Sequence, residues 1–293
     1  ENATSKAFPN EVLAACVVLT FALVATFIPI KPASAEHIAP TTKENATIPL
    51  EMCKPFFMSE APLKYKRIAT ATTNTDSTLY SAFKKNLVKE IKVAQFSGYV
   101  SEHACYHHGE VSLEKAIIGM AQEFLGSNNV NVLMPNGQFG TRLEGGSDHA
   151  SARYIFTALN KLTSFIFKSD DNPILNYLDD DGTSVEPDFY VPIIPMVLVN
   201  GGKGIGTGFS YEGLSYNPHQ IIKYLKNKLK KVGKIIKIDP YFEGFKGTIQ
   251  DYGFAIDKET NKKYPKYLVK GKYKIISADT IQITELPIGT WTT

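Results

Sequence analysis

"NVLMPNGQFGTRLEGGSDHASARYIF", residues 131–156, decides how the rest of the chain is read. It places an arginine directly beside a tyrosine, Arg153-Tyr154, after a glycine-rich stretch and before an apolar run. The chain has 15 tyrosines, so the question is what singles this one out. A free phenol ionises near pH 10, and forming the phenolate at pH 7 costs about 4 kcal/mol. A phenol that attacks a phosphodiester needs that cost offset. A neighbouring guanidinium stabilises both the phenolate and the charge growing on phosphate. A histidine or a metal-bound water can take the proton. "YHHGE" (106–110) supplies His107 and His108, although a capped turn before the next helix accounts for that pair equally well. Two adjacent histidines seldom ligate one metal, and no acidic or cysteine partner stands at metal spacing. Residue types alone leave a packing role for Tyr154 open.

Working outward, 293 residues suit one large or two ordinary domains. With 43% apolar and 21% charged residues, the composition is that of a soluble globular protein. The net charge of +3 does not by itself require a nucleic-acid partner. Its distribution says more. Lys223, Lys226, Lys228, Lys230, Lys231, Lys234 and Lys237 follow one another with no acid between Gly213 and Ile238. Such a run is either a solvated helix face or a phosphate-contacting surface. Cys16, Cys53 and Cys105 give neither metal spacing nor a disulfide framework, which fits a reducing compartment.

The beginning of the chain differs from the rest. Residues 12–28 are a continuous apolar run, followed by "KPASAE" with a small-residue Ala33-Ser34-Ala35 site, as in a secretory signal. Glu1 and Glu11 stand where such a signal carries positive charge, and no Met begins the chain. Signal or anchor, buried helix and misjoined sequence all remain open. Residues 36–81, rich in Thr, Ala, Pro and Ser, read as linker or irregular structure, and the whole of 1–81 stays unassigned.

From residue 83 local patterns agree with one another. "SLEKAIIGMAQEF" puts Leu113, Ile117, Met120, Ala121 and Phe124 on one helical face, with Ser112 as N-cap. "YIFTALNKLTSFIF" repeats the period through Ile155, Leu159, Leu162 and Ile166, which predicts a helix starting at or just after Tyr154. "YVPIIPMVLVN" (190–200) reads as a buried strand interrupted by prolines. Asn217-Pro218 opens the lysine-rich helix, with Asn as cap and Pro at the first helical position. "FKGTIQ", "YLVKG", "YKIIS" and "TIQITELP" then read as antiparallel strands, and "DDD" (179–181) as a surface turn. The fold class is α+β.

"GGKGIGTG" (201–208) has neither the full phosphate-loop frame nor a complete G-x-G-x-x-G. Its glycines serve a turn or let backbone approach another surface closely. Ile205, a lone large apolar side chain on this ribbon, belongs either in the core or between base pairs, as in proteins that bend DNA.

Taken together, "KVAQFSGYVSEHACYHHGEVSL" (92–113), residues 131–156, "EPDFYVPIIPMVLVNGGKGIGTGFS" (186–210) and "TIQITELPIGTWT" (280–292) resemble type IIA DNA topoisomerases of the eukaryotic and large-virus kind. The resemblance covers about residues 83–293. It implies a winged-helix DNA-cleavage domain over 82–194, followed by the start of a mixed α/β tower domain over 195–293. It implies ATP-dependent passage of one duplex through a transient double-strand break, by a homodimer acting on double-stranded DNA inside the cell (nucleus, cytoplasm or viral factory). No small-molecule substrate and no membrane are expected for this segment. Tyr154 would form the 5′-phosphotyrosyl bond and Arg153 support the scissile phosphate. His107 and His108 would lie near that phosphate, and Ile205 would enter the DNA. Lys84, Lys85 and Arg142 would be phosphate contacts. Mg²⁺ and ATP would be bound by other domains, with no metal ligands here, so this piece alone should bind DNA and cleave it poorly. The family usually has proline at the position of Ala152 and lysine at that of Ser147. The alternative is a non-catalytic duplex-binding module on the same frame.

Overall fold

The computed structural model describes residues 30–32, 73–106, 109–206, 209–230, 237–256 and 263–293. The apolar run 12–28, the Ala33-Ser34-Ala35 site and the His107-His108 pair lie outside the described residues. Helix α1, Thr73–Lys84, runs through a segment whose composition predicts linker up to residue 81. Its buried face explains the difference: Ser77, Thr78 and Ser81 are buried beside Leu79 and Ala82. Small hydroxyl residues carry almost no helical signal, and packing against neighbouring helices overrides their preference for caps and turns. Asp76 in the first turn and Lys84 in the last complement the helix dipole.

Strand β2, Ile91–Lys92, leads directly into α2, Val93–His103, and α3 is Glu110–Ala121. The three helices pack on one another. Val93, Phe96 and Val100 of α2 meet Leu113, Ile117 and Ala121 of α3 in one buried cluster with Leu79, Leu133 and Ile155. Leu113, Ile117 and Ala121 are buried as the spacing predicts; α3 stops before Phe124. The cap is Gly109, not Ser112: Gly109 O accepts the amides of Ser112 (3.0 Å) and Leu113 (3.4 Å), so the helix begins before the serine could cap it.

The helix predicted from Tyr154 onward is absent. Phe156–Thr157 form β3, paired antiparallel with β2, and only Thr163–Ile166 are helical (α4). Phe156 exchanges both backbone hydrogen bonds with Asn136 (2.9 and 3.0 Å), and Ala158 O accepts from Met134 N at 2.7 Å. These cross-chain partners claim the groups a helix would have used, so tertiary pairing overrides the four-residue spacing. A 3-10 turn over Ser169–Ile174 precedes the hairpin β4, Tyr177–Asp180, and β5, Thr183–Pro187. Its turn is the end of the "DDD" segment, with positive φ at Asp181 (49°) and Gly182 (84°), as tight hairpins favour.

The predicted strand 190–200 is instead irregular chain ending in a short helix, α5, Met196–Val199. Pro192 and Pro195 cannot donate to a ladder, and Pro195 caps the helical turn. Strands β6, Gly202–Gly206, and β7, Phe209–Gly213, form an antiparallel ribbon, and β1, Ile30–Pro32, pairs with the other edge of β7. Helix α6, Pro218–Leu229, starts as expected: the Asn217 side chain accepts from His219 N at 2.9 Å. Ile221 is buried, while Lys223, Lys226, Lys228 and Lys230 point away from the core. Strands β8 (Thr248–Ile256) and β9 (Lys263–Lys270), then β10 (Lys272–Ile275) and β11 (Ile281–Glu285), form two antiparallel pairs, as predicted. Lys237, the last lysine of the basic run, is neutralised by Asp251 at 2.8 Å and Asp239 at 3.4 Å.

One polar knot ties the later elements to the earlier ones. Asn129 Nδ2 donates to the carbonyls of Val199 (2.8 Å), Tyr241 (3.1 Å) and Tyr216 (3.3 Å), and its Oδ1 accepts Glu243 N (2.8 Å). Asn200 and Val130 exchange two more bonds. Among the described residues no helix is long and apolar enough to cross a membrane.

Candidate active site

Tyr154 lies in a turn over 151–154, its amide bonded to Ser151 O at 2.9 Å. The residues on either side of the Arg-Tyr pair, Ala152 and Ile155, are buried. Their carbonyls accept the amides of Ala94 (3.1 Å) and Val93 (3.0 Å), the first residues of α2. Opening amides of a helix have no partner within it, so this docking satisfies them and brings the positive end of α2 beside the turn. With both flanks fixed inward, Arg153 and Tyr154 are exposed; Tyr154 is 65% accessible. The Arg153 guanidinium carbon stands 4.8 Å from the Tyr154 ring centroid. An accessible phenol with a cation over its ring, on a backbone held by buried neighbours, suits attack on a bulky anionic substrate. Tyr190 shows the opposite environment. It packs edge-on against Phe83 and Phe167, and burial pushes its phenol far above the usual value.

The loop before the turn is equally constrained. Gln122 Nε2 donates to Phe139 O (2.9 Å) and Gly146 O (3.1 Å). Asp148 accepts the Thr141 amide (2.8 Å) and hydroxyl (2.6 Å), and these bonds hold its carboxyl below the ordinary 3.8. Gly146 N returns to Thr141 O at 2.8 Å. At Gly140, where φ is +98°, an added Cβ would sit 2.5 Å from Gly146 O, so the two chain passes meet backbone to backbone.

The other expected contacts are placed as follows. Lys84 and Lys85 are exposed, with their ammonium groups 5.2 Å from the Tyr80 and 4.1 Å from the Tyr99 ring centroids. Arg142 is engaged within the chain: its guanidinium pairs with Glu285 and donates from Nη2 to Leu286 O at 2.7 Å. Ser147 turns its hydroxyl to Glu144 O at 2.8 Å. Ile205 lies on β6 opposite Ser210; the wedge reading concerns its side chain, which lies outside what the structure describes. The structure thus brings Arg153 and Tyr154 together and leaves His107 and His108 outside the described residues. Residue patterns do not point to Gln122 or Asp148, which bind across the loop. Nor do they point to Trp291, the chain's one tryptophan, which packs edge-on against Phe124. Among the described residues no three of His, Cys, Asp and Glu stand together to hold a metal.

Comparison with known proteins places the chain in a family. The family described as the A-type subunit of DNA gyrase/topoisomerase IV matches residues 77–293, beginning inside α1. DNA topoisomerase 2 of Pisum sativum is 53% identical over 214 residues, which are 73% of this chain and 14% of that protein. Probable DNA topoisomerase 2 of Dictyostelium discoideum is 51% identical over 221 residues, 75% of this chain and 14% of the relative. The chain therefore spans 14% of the length of each of these two relatives. The crystal structure of the DNA-binding, cleavage and re-ligation domain of Plasmodium falciparum topoisomerase II superposes with a TM-score of 0.71 at 44% identity, over 78% of this chain and 31% of that one. The match runs across most of the chain, with the tyrosine turn inside it, and this protein belongs to the DNA gyrase/topoisomerase IV family of type IIA topoisomerases.

Proposed function

We propose that this segment is the DNA-cleaving part of a type II DNA topoisomerase, acting as a homodimer on double-stranded DNA. In this reading residues 82–194 are a winged-helix domain, supported by the packing of α2 on α3 and by the β4–β5 hairpin as wing, and 195–293 begin a tower domain. Tyr154 is the nucleophile. Its oxygen forms a bond to phosphorus, the bond to the 3′ oxygen of the preceding sugar breaks, the phenol loses its proton and the 3′ oxygen gains one. One phosphodiester replaces another, so resealing needs no outside energy, and ATP drives the conformational cycle instead. Arg153 steadies the charge on phosphate, and His107 and His108 serve the same phosphate. Ile205 enters the duplex, and Lys84 and Lys85 contact its backbone. Each protomer cuts one strand, and another duplex passes through the gap.

The observation that carries this reading is the exposed phenol beside Arg153 on a turn fixed by its buried neighbours. Among the described residues no three of His, Cys, Asp and Glu stand together to hold a metal; in this reading Mg²⁺ and ATP are bound outside this segment, and the roles given above belong to this chain's own side chains. The test uses the full-length protein with supercoiled DNA, Mg²⁺ and ATP, quenched with detergent. Wild type should leave protein-linked DNA and Tyr154→Phe none. Equal linkage in both would overturn the assignment.

A further inference from the structure

Arg142 and residues 285–293 form a contact within the chain, away from the Arg153–Tyr154 pair in sequence. The Arg142–Glu285 pair is largely withdrawn from solvent, with side chains 22% and 7% exposed. Arg142 Nη2 also takes Leu286 O, and its Nε is buried with no hydrogen-bond partner among the described residues. The chain then continues over the same loop. Trp291 lies against Gly145, where φ is +61° and an added Cβ would collide with the indole. Thr292 and Thr293 amides donate to Leu143 O at 3.1 and 3.2 Å. Residues 285–293 thus strap the loop 141–148 from outside, while Gln122 and Asp148 hold it from inside. That loop feeds the turn that carries Arg153 and Tyr154.

A buried ion pair with an unsatisfied nitrogen is a poor source of stability, and its best-supported use is to select one register. We propose that Arg142 is a positioning residue: its pair with Glu285, together with Trp291, latches the loop 141–148 to the strap 285–293 and so sets where Tyr154 stands against the scissile phosphate. The proposal rests on the reading of Tyr154 as nucleophile, and it replaces the sequence-based reading of Arg142 as a phosphate contact. It ties the cleaving tyrosine to the end of the β10–β11 hairpin, so a shift of one element reaches the other.

The test compares Arg142→Ala, Glu285→Ala, the double substitution, and the charge exchange Arg142→Glu with Glu285→Arg in the full-length protein. Arg142→Lys and Glu285→Gln are the milder pair should the alanine variants fold poorly. Protein-linked DNA is read at saturating duplex, beside duplex affinity and its salt dependence. If the latch acts, each single variant lowers protein-linked DNA by about tenfold to a hundredfold, the scale of an ångström of misplacement, with affinity unchanged. The double variant is no worse than the worse single one, and the charge exchange recovers part of the loss. If Arg142 instead contacts phosphate, Glu285→Ala leaves cleavage intact, and Arg142→Ala weakens binding and flattens its salt dependence; that pattern overturns the proposal. Hydrogen exchange of the loop amides separates this failure from failure of the tyrosine reading. Arg142→Ala must speed exchange over 141–148 whatever residue is the nucleophile, and unchanged exchange also overturns the latch. Tyr154→Phe must leave that exchange as in wild type while abolishing linkage.

Discussion

The tyrosine turn and the β10–β11 hairpin are both short chain reversals with exposed aromatic or apolar side chains, yet they are built in opposite ways. Around Tyr154 the exposed side chains stand on backbone held by buried neighbours: Ala152 and Ile155 lock to the start of α2, and Phe156 locks to Asn136. In the hairpin Tyr273 faces Ile283 and Ile275 faces Ile281 across the ladder, and all four are largely exposed. There the backbone is held by its own local pairing, with the Arg142 contact added at its end, Glu285. The difference separates residues placed by tertiary structure for a task from residues placed by local register. An exposed tyrosine of the first kind is a site candidate, whereas one of the second kind needs no chemical role.

The sharpest break of that comparison is chemical. Tyr154→Phe leaves no oxygen at that position to bond to phosphorus, so it should abolish covalent DNA linkage. Tyr190→Phe and Tyr273→Phe should still form the link, because one phenol is buried and the other sits on a locally built hairpin. Gel detection of protein-bound DNA under detergent checks all three. A link that survives at Tyr154→Phe and vanishes at Tyr273→Phe would reverse the distinction.

Next in size is packing. Ile155 is 1% exposed and holds the far side of the turn, so Ile155→Ala should cost about 2–5 kcal/mol. Hydrogen exchange of the amides of the turn and of α2 in denaturant, in the full-length protein, measures it. The loss should also weaken the Val93 contact and loosen the Arg-Tyr turn.

How legible each region is in the sequence follows from the same contrast. The hairpins β8–β11 and the start of α6 are readable because their signals are local: alternation within a strand, and Asn217 capping its own helix. The tyrosine turn is not. Its period suggests a helix, and the strand it forms depends on Asn136 and Ile91, which lie elsewhere in the chain. Helix α1 is hidden because its inward face is Ser77, Thr78 and Ser81, residues that usually mark loops. At the site, the family motif points to Tyr154 and Arg153, and the structure sets the guanidinium over the ring. The partner of Arg142 cannot be read at all, since Glu285 lies 143 residues further on and no spacing rule links them.

A smaller effect comes from acid. Asp148 is held below its ordinary 3.8 by the Thr141 hydroxyl and amide. A carboxylate with a depressed folded value contributes stability above the unfolded value, and that contribution is lost as pH falls through the folded one. The loop 141–148 should therefore loosen on the acid side of pH 3.8, while the β10–β11 hairpin keeps its register. Trp291 is the chain's one tryptophan and rests on Gly145, so its fluorescence in this segment reports the loop directly. Asp148→Asn should give the loosened signal already at neutral pH and remove the acid transition. A transition of the same size in both proteins would mean that another group controls the loop.

The smallest effect is expected where local register alone is at stake. Ile283 is 66% exposed on β11, opposite Tyr273. Ile283→Thr keeps a β-branched side chain, removes part of one cross-strand contact and opens no cavity, so it should change stability by about 0.5 kcal/mol or less. Set beside Ile155→Ala under the same denaturant, this value makes the contrast quantitative. A gap of several kcal/mol between two isoleucines, one beside a short antiparallel pairing and one within another, would measure how much of the tyrosine turn is imposed from outside its own sequence. Comparable losses at the two positions would mean that the hairpin, too, is held by contacts beyond its own ladder.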